Sequence, residues 1–338
     1  MSFDGVSGSD SSAIERNRVT SWGGSILGFR GKEEMGGGLN ALFQIESNIA
    51  GDKGGSPLAR RTTFVGLQSD WGTVRLGRRI SVVDDLFSVF ADNTKRNPVL
   101  TSSTLWGQSG VSIENGGFTD HLSNAIWYET PTWNGLRGIV SYATAEEDYQ
   151  AYNLNSALFY KQGNWHAAAS YVYQHNYRYA LGNATARGNN DWETTLTAKY
   201  NFGVVALSGV YEHIEYELNN GKDTLKRDFF GVGAAVPVGA YTVYGFYGYA
   251  DDGRGSSSAH VGDVRGGKDT GAQQYTVAVN YPFSKRTLVY AGYMYLKNEA
   301  RANYTFFRDG NRPTPMGPSN VKPGTDQQGV AVGMYHSF

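Results

Sequence analysis

Apolar and polar side chains alternate along most of this chain, one residue at a time. Three clear examples are TLTAKYNF (195–202), NWHAAASYVYQ (164–174) and QYTVAVNY (274–281). Successive side chains of an extended strand point to opposite faces, so a period of two residues indicates β-strands. No apolar run approaches the roughly 18 residues that a membrane-spanning helix requires. The pattern therefore predicts an all-β protein built from amphipathic strands.

The alternating stretches predict about sixteen strands, a number typical of membrane β-barrels. They span 1–8, 19–32, 38–49, 60–69, 73–80, 122–130, 136–145, 153–162, 164–175, 193–202, 204–216, 226–237, 240–250, 272–282, 286–298 and 328–338. Short turns such as MGGG, SDWG and QGN alternate with long connections at 51–58, 81–121, 177–191, 217–225, 251–271 and 299–327. An outer-membrane barrel has short turns at one end and long loops at the other. We therefore predict a transmembrane, antiparallel, up-and-down β-barrel that forms a single domain over residues 1–338.

Composition narrows the possible functions. The chain has 44 Gly, 23 Tyr, 16 Phe and 7 Trp among 338 residues, which suits strands and tight turns. With no cysteine, it has neither disulfides nor thiolate metal sites, and its net charge of -1 gives no basis for nucleic-acid binding. The six histidines lack metal-ligand spacing, and no phosphate-binding loop or nucleophile elbow is present. We therefore predict no enzyme activity, no cofactor and no metal site.

The two ends of the chain lead to different expectations. The start, MSFDGVSGSDSSAIERNR (1–18), lacks the basic start, apolar core and cleavage site of a signal peptide. Either the chain is not exported, or its signal peptide has been removed, or its start is truncated. At the other end, Val330, Val332, Met334 and Phe338 fall on one side of an extended strand, and small residues lie opposite. In a barrel these apolar side chains face lipid, and the last strand pairs with the first, which leaves no open edge.

Aromatic residues concentrate near the ends of the predicted strands. They are Trp22, Trp71, Tyr128, Trp133, Trp165, Phe202, Tyr241, Tyr281 and Phe338. In a membrane barrel, such rings lie at the depth of the lipid head groups and form a girdle at each interface. The alternative is that strands are generally rich in aromatic residues. The sorted loop lengths favour the girdles.

Five segments resemble, in order and spacing, those of the Gram-negative general porins. They are LGFRGKEEMGGGLNALFQIES (27–47), RRTTFVGLQSDWGTVRLGRR (60–79), YETPTWNGL (128–136), SKRTLVYAGYMY (284–295) and the terminal VGMYHSF. The resemblance covers nearly the whole chain and implies an outer-membrane barrel of about sixteen strands that assembles as a homotrimer. It implies passive diffusion of small hydrophilic solutes and ions, and contact with membrane lipid and lipopolysaccharide. It also implies that the outer-membrane assembly machinery recognises the terminal Phe338.

The start of the chain departs from the porin pattern. Porins carry a stretch resembling SSVTLYG before the first loop, whereas this chain opens at MSFDGVSG, which resembles the second half of that strand. The other half would pair with 328–338, so we expect a truncated or differently chosen start and an effect on barrel closure. A second departure is Ile26, where many porins place an inward arginine.

The resemblance also implies that the third long connection, 81–121, folds into the barrel and narrows the pore. Acids on this loop would face a basic wall, so that cations and anions follow different sides of a transverse field. The acidic candidates are Glu114, Asp120, Asp84 and Asp85. The basic candidates are Arg78, at the LGR position of the porins, Arg75 and Arg30, which alternation points into the lumen, and Arg61, with Arg137 as a weaker candidate. The alternative is that these residues are solvated lining charges without a special role.

Three other possibilities stay open. A substrate-specific porin for a sugar or small anion would share the barrel, and an aromatic ladder in the lumen would favour a sugar. Alternation points Tyr244 and Phe246 inward, but two residues do not make a ladder. An outer-membrane barrel enzyme would need a Ser–His–acid cluster, which the sequence does not display. A soluble β-sandwich is the structural alternative, and dependence on detergent would distinguish it.

Overall fold

The architecture is almost entirely β-structure. We describe it from a computed structural model of the whole chain. The described residues are 1–9, 16–21, 25–55, 57–90, 97, 99–107, 116–145, 148–180, 187–219, 221–306 and 322–338. No helix in these ranges is both long enough and apolar enough to cross a membrane.

The described part of the chain contains nineteen strands. Their bounds are β1 Ser2–Gly8, β2 Arg16–Thr20, β3 Ile26–Gly36, β4 Leu39–Asn48, β5 Thr63–Ser69, β6 Gly72–Ile80, β7 His121–Glu129, β8 Leu136–Ala145, β9 Asp148–Gln162, β10 Trp165–His175, β11 Asn190–Asn201, β12 Ala206–Leu218, β13 Asp223–Val238, β14 Tyr241–Ala250, β15 His260–Val261, β16 Val264–Arg265, β17 Ala272–Pro282, β18 Thr287–Asn298 and β19 Gln327–His336. The long connections contain α1 (Val82–Leu86), a 3₁₀ turn (Ser102–Thr104) and α2 (Tyr177–Ala180).

Antiparallel ladders join strands that follow one another along the chain. They run from β3 to β14, continue through β17, β18 and β19, and reach β1 and β2. The last strand pairs with the first, with Val332 opposite Phe3 and Gln327 opposite Gly8. This arrangement confirms the all-β class and the expected pairing of the terminal strands.

The observed strands differ from the predicted ones at two places. The strand predicted over 19–32 is described as β2 and β3, and Trp22, Gly23 and Gly24 between them lie outside the described residues. The connection predicted over 251–271 contains the hairpin β15–β16, whose turn includes Gly262 with a φ of +56°. Strands of two residues are too short for alternation to reveal them.

The outward face of the barrel is apolar and exposed. Phe29 is 60% exposed, Val65 is 61% exposed and Val232 is 60% exposed, although each lies within a regular strand. A soluble protein would cover such a face, whereas a membrane barrel presents it to lipid. Val330 and Val332 of the last strand belong to this band, which confirms their predicted orientation.

Aromatic side chains are exposed at the end of the barrel that has the short turns. Trp71 stacks on Tyr128 with ring centroids 6.4 Å apart, and Tyr241 packs on Tyr281 at 5.0 Å. Trp133 at the next turn is 72% exposed. Rings in these positions are what a girdle at one membrane interface requires.

The inner face is polar and is partly covered by the third long connection. Asn155 on β9 is buried, and its side-chain oxygen accepts hydrogen bonds from Ser81 Oγ at 3.1 Å and from the Val82 amide at 3.3 Å. Ser81 also caps α1, because its hydroxyl accepts a hydrogen bond from the Val83 amide. The described residues of 81–120, called the inward loop below, therefore turn into the barrel directly after β6.

Candidate functional site

Aromatic contacts hold the inward loop against the far wall of the barrel. Trp106 is completely buried and stacks on Phe229 of β13, with ring centroids 6.5 Å apart. Phe87 packs edge-on against Trp106 at 4.2 Å, and Phe90 packs edge-on against Phe246 of β14 at 5.5 Å. Such pairs add about 0.5–1.5 kcal/mol each beyond the apolar area that they bury.

Hydrogen bonds from the wall to the loop backbone fix the same contact. Gln274 Nε2 donates to the Thr101 carbonyl at 2.7 Å, and Tyr216 Oη donates to the Gly116 carbonyl at 2.6 Å. Arg227 donates to the Leu105 carbonyl at 2.5 Å. The loop is thus bonded to β12, β13 and β17, and β6, β7 and β8 form the opposite wall of the barrel.

A guanidinium pair on the opposite wall shares one carboxylate. Arg75 Nη1 lies 3.0 Å from Glu129 Oε2, and Arg137 Nη1 lies 2.6 Å from Glu129 Oε1. The Arg75 guanidinium also lies 5.2 Å from the centroid of the Phe64 ring. Sequence reasoning missed Glu129, although its alternation with Trp127 on β7 places both side chains in the lumen.

Two more of the arginines predicted for this wall, Arg61 and Arg30, differ in their partners. Arg61 pairs with Glu46 at 3.4 Å and donates to Asn48 Oδ1 at 3.0 Å. Arg30 on β3 is exposed, and no hydrogen bond or ion pair to another described residue restrains it. The Arg61 guanidinium is therefore restrained by two partners, whereas the Arg30 side chain is exposed and has no ion-pair partner among the described residues.

The LGR motif places Arg79, rather than Arg78, on the face that carries Arg75. Arg75, Gly77 and Arg79 are separated by two residues each, so they share one face of β6. The register with β7 shifts between Gly77 and Arg79, next to Asn124, which has a φ of +52°. Arg79 lies opposite Leu122, and both side chains are buried, which agrees with an inward direction of Arg79.

The contacts of the two arginines reflect this difference. Arg78 donates to the Arg60 carbonyl at 2.9 Å and to Ser123 Oγ at 2.5 Å. Arg79 is buried, pairs with Asp85 at 2.7 Å and lies over the Trp127 ring. Counting in steps of two from Arg75 would have identified Arg79 from the sequence.

The acidic candidates are distributed along the two ends of the inward loop. Asp84 accepts a hydrogen bond from the Asp120 amide at 2.9 Å, which joins the start of the loop to its end. Asp85 is neutralised by Arg79. Asp120 has a φ of +112°, an unfavourable value for this residue type, and accepts hydrogen bonds from the backbone and ring of His121. Glu114 lies outside the described residues.

The environment of Asp120 favours its ionised form. Burial alone would raise the pKa of Asp120, but hydrogen bonds from His121 and the charges of His121 and Arg78 lower this pKa. Its side chain is still 56% exposed. Asp120 is thus a partly exposed acid whose surroundings favour the charged form at neutral pH.

The described residues contain no group of three or more His, Asp or Glu side chains that would hold a metal ion. Tyr244 and Phe246 do point inward, as alternation predicts, but both are buried. Because the Phe246 ring packs on Phe90 of the inward loop, neither side chain offers an open aromatic surface to a solute.

Comparisons with known proteins agree with this geometry. The model of the Gram-negative porin family matches residues 1–301. The outer membrane porin protein 32 of Delftia acidovorans is 31% identical over 331 residues, covering 93% of this chain and 84% of the relative. The solved anion-selective porin from Comamonas acidovorans superposes with a TM-score of 0.79 at 27% identity, covering 100% of this chain and 97% of that one.

A sugar-specific relative is also similar. The monosaccharide porin of a Halomonas species is 26% identical over 268 residues, which cover 76% of this chain and 71% of the relative. The matched family, the lipid-facing band and the loop inside the barrel lead to one conclusion. The chain belongs to the Gram-negative porin family and is an integral outer-membrane channel for passive diffusion.

Proposed function

We propose that this porin is a general diffusion channel that prefers small hydrophilic anions to cations. The observation that supports this preference is the shared carboxylate of Glu129, which pairs with both Arg75 and Arg137. Two guanidinium charges against one carboxylate leave the wall positive at any working pH. Arg30, which has no acidic partner among the described residues, adds to this charge.

The inward loop supplies the other side of the transverse field. Asp85 is compensated by Arg79, and we assign Asp120 and Asp84 to the acidic side of the field by their place in the described part of the loop. We assign Glu114 to the same side by its place in the loop, and Arg61 to the basic side. Arg78 is not assigned to this wall, because it alternates to the other face of β6. A charged solute in a narrow ring of low dielectric follows the side of opposite charge.

The similarity to other porins supports the same preference. Anion selectivity is named for the Comamonas porin, and the resemblance of the two chains extends it to this one as a proposal. A sugar-specific channel has less support, because the inward loop covers Tyr244 and Phe246, the two residues that would begin an aromatic ladder.

The assembly follows from the same family. We infer that residues 1–338 act as one barrel domain, that three copies form a homotrimer, and that the protein is not an enzyme. The exposed apolar band would contact membrane lipid and lipopolysaccharide. Phe338 lies beyond β19 and is fully exposed, so the outer-membrane assembly machinery can reach it.

Planar-bilayer recording tests the proposal directly. Detergent-refolded protein is added to a bilayer that separates two concentrations of KCl, and the reversal potential is measured. We expect a reversal potential with the sign of the chloride equilibrium potential, and conductance steps grouped in threes. A reversal potential with the sign of the potassium equilibrium potential would overturn the anion preference. Single unlinked steps would overturn the trimer.

A further inference from the structure

Three basic side chains lie in one row at the end of the lumen that has the short turns. His166 on β10 lies opposite Lys161 on β9 and opposite Lys199 on β11. Neighbouring strands are about 4.8 Å apart, so the two lysine Cα atoms lie about 10 Å from each other, with His166 between them. Lysine side chains are long enough to bring both ammonium groups to one point in front of the imidazole.

All three side chains point into the lumen rather than towards lipid. Lys161 alternates in phase with buried Phe159, and Lys199 alternates in phase with buried Thr197. The intervening Leu158 and Leu196 are exposed on the lipid face. The row is therefore a feature of the channel lining.

The row lies just beyond the part of the wall that the inward loop covers. On β10 the inward side chains Val172, Ser170 and Ala168 are buried, whereas His166 is only half-buried. Lys161 is exposed and Lys199 is partly exposed. The row is thus open to solutes that have passed the loop, or that enter from the short-turn side.

No carboxylate compensates these charges among the described residues. The side chains of Lys161, His166 and Lys199 form no ion pair or hydrogen bond with other described residues, unlike those of Arg61, Arg75 and Arg79. The next residue along the row is Ser208 of β12, which is uncharged. On the other side, Arg137 lies over the Phe159 ring at 4.7 Å and is bound to Glu129.

We propose that Lys161, His166 and Lys199 form a second anion-binding subsite at the short-turn end of the channel. Its ligand is a small oxyanion with two or more negative charges, such as inorganic phosphate. Such an anion offers enough acceptor oxygens for two ammonium groups and a ring N–H, and charge-assisted hydrogen bonds are stronger than neutral ones. Chloride has one charge and gains less from the same three donors.

The proposal rests on the proposed channel function and adds a site at which polyvalent anions bind transiently during passage. Binding there raises the local concentration of the anion next to the Arg75–Glu129–Arg137 wall. An anion arriving from the short-turn side would reach this row first. Phosphate should therefore obstruct chloride current more strongly from that side than from the long-loop side.

The test measures block of chloride current by inorganic phosphate in single channels. We expect phosphate to reduce the current of the unmodified protein, and the Lys161→Gln/Lys199→Gln double variant to need about tenfold more phosphate for the same reduction. Lys285→Gln is the matched control, because Lys285 lies in a short turn at the same end, outside the row. Equal block in the double variant and the unmodified protein would overturn the subsite.

Phosphorus NMR provides a second measurement that does not require conduction. Line broadening of inorganic phosphate by refolded protein should be present with the unmodified protein and with Lys285→Gln, and lost with the double variant. Broadening by a protein that gives no anion-selective current would support the subsite and contradict the proposed channel preference. Anion-selective current without phosphate block or broadening would support the channel preference and contradict the subsite. Heat-modifiable migration on a gel verifies folding, and the two single variants replace the double variant if it does not fold.

Discussion

Arg227 and Glu212 form an ion pair that is sealed between the barrel wall and the inward loop. The side chain of Arg227 is 1% exposed and that of Glu212 is 0% exposed. Both also bond to the loop, since Arg227 donates to the Leu105 carbonyl and Glu212 accepts from the Gly107 amide. The pair therefore attaches the loop to the wall as well as satisfying its own charges.

Replacing Arg227 with leucine should destabilise the protein and loosen the inward loop. The change leaves Glu212 buried without its positive partner, which typically costs about 3–5 kcal/mol of unfolding free energy. We expect a lower temperature for the loss of the compact band on a gel, and noisier single-channel current. The Arg227→Leu/Glu212→Leu double variant, which removes both charges, should recover part of the thermal stability. No recovery would show that the lost bond to Leu105 dominates.

Arg75→Ala should reduce anion preference more than Arg78→Ala does. Arg75 shares its face of β6 with Gly77 and points into the lumen, whereas Arg78 alternates to the other face and bonds to Ser123. Removing one lumen charge changes the electrostatic energy of a nearby ion by about 1 kcal/mol, or about fivefold in permeability ratio. Reversal potentials of the two variants under one salt gradient make the comparison. A larger shift for Arg78→Ala would contradict this assignment of faces.

Glu129→Gln should increase anion preference. The amide keeps the shape of the side chain but removes the negative charge that Arg75 and Arg137 share. The expected gain in the chloride-to-potassium permeability ratio is again about fivefold. Glu215→Gln is the control, because Glu215 pairs with Lys226 away from the lumen and should leave the reversal potential unchanged. A lower ratio in Glu129→Gln would show that the carboxylate mainly positions the guanidinium groups.

The strand pattern could be predicted from the sequence because lipid and lumen impose opposite polarity on alternate residues. Val330 and Val332 show this directly, since their exposure follows from alternation alone. The sequence does not reveal the bulge at which the register of β6 with β7 shifts, between Gly77 and Arg79. A motif match favoured Arg78, whereas counting along the strand favours Arg79.

The contacts that the inward loop makes with the barrel wall could not be predicted from the sequence. The stacking of Trp106 on Phe229 and the bond from Gln274 to the Thr101 carbonyl join residues more than a hundred positions apart. Such contacts depend on how the whole barrel brings its inner wall together. Length and composition of the loop indicated only that it was a special connection.

The anion preference should rise when acid protonates Asp120. The pKa of Asp120 in the folded protein is lowered, so its ionised form stabilises the loop above the usual aspartate pKa of about 3.9, and this contribution is lost as pH falls through the lowered value. In the channel, the same protonation removes a negative charge opposite the basic wall. Reversal potentials measured from pH 7 down to pH 3 should therefore shift towards chloride with a midpoint below about 3.9.

The Asp120→Asn variant separates this titration from that of the other carboxylates. Its reversal potential at neutral pH should already be shifted towards chloride, and the difference from the unmodified protein should vanish at the acidic end. His121→Ala removes the ring that bonds to Asp120, so the midpoint of the reversal-potential titration should lie at a higher pH in this variant than in the unmodified protein. Identical pH profiles for the unmodified protein and Asp120→Asn would show that Asp120 does not act on permeating ions, and would leave the selectivity of the channel to the basic wall alone.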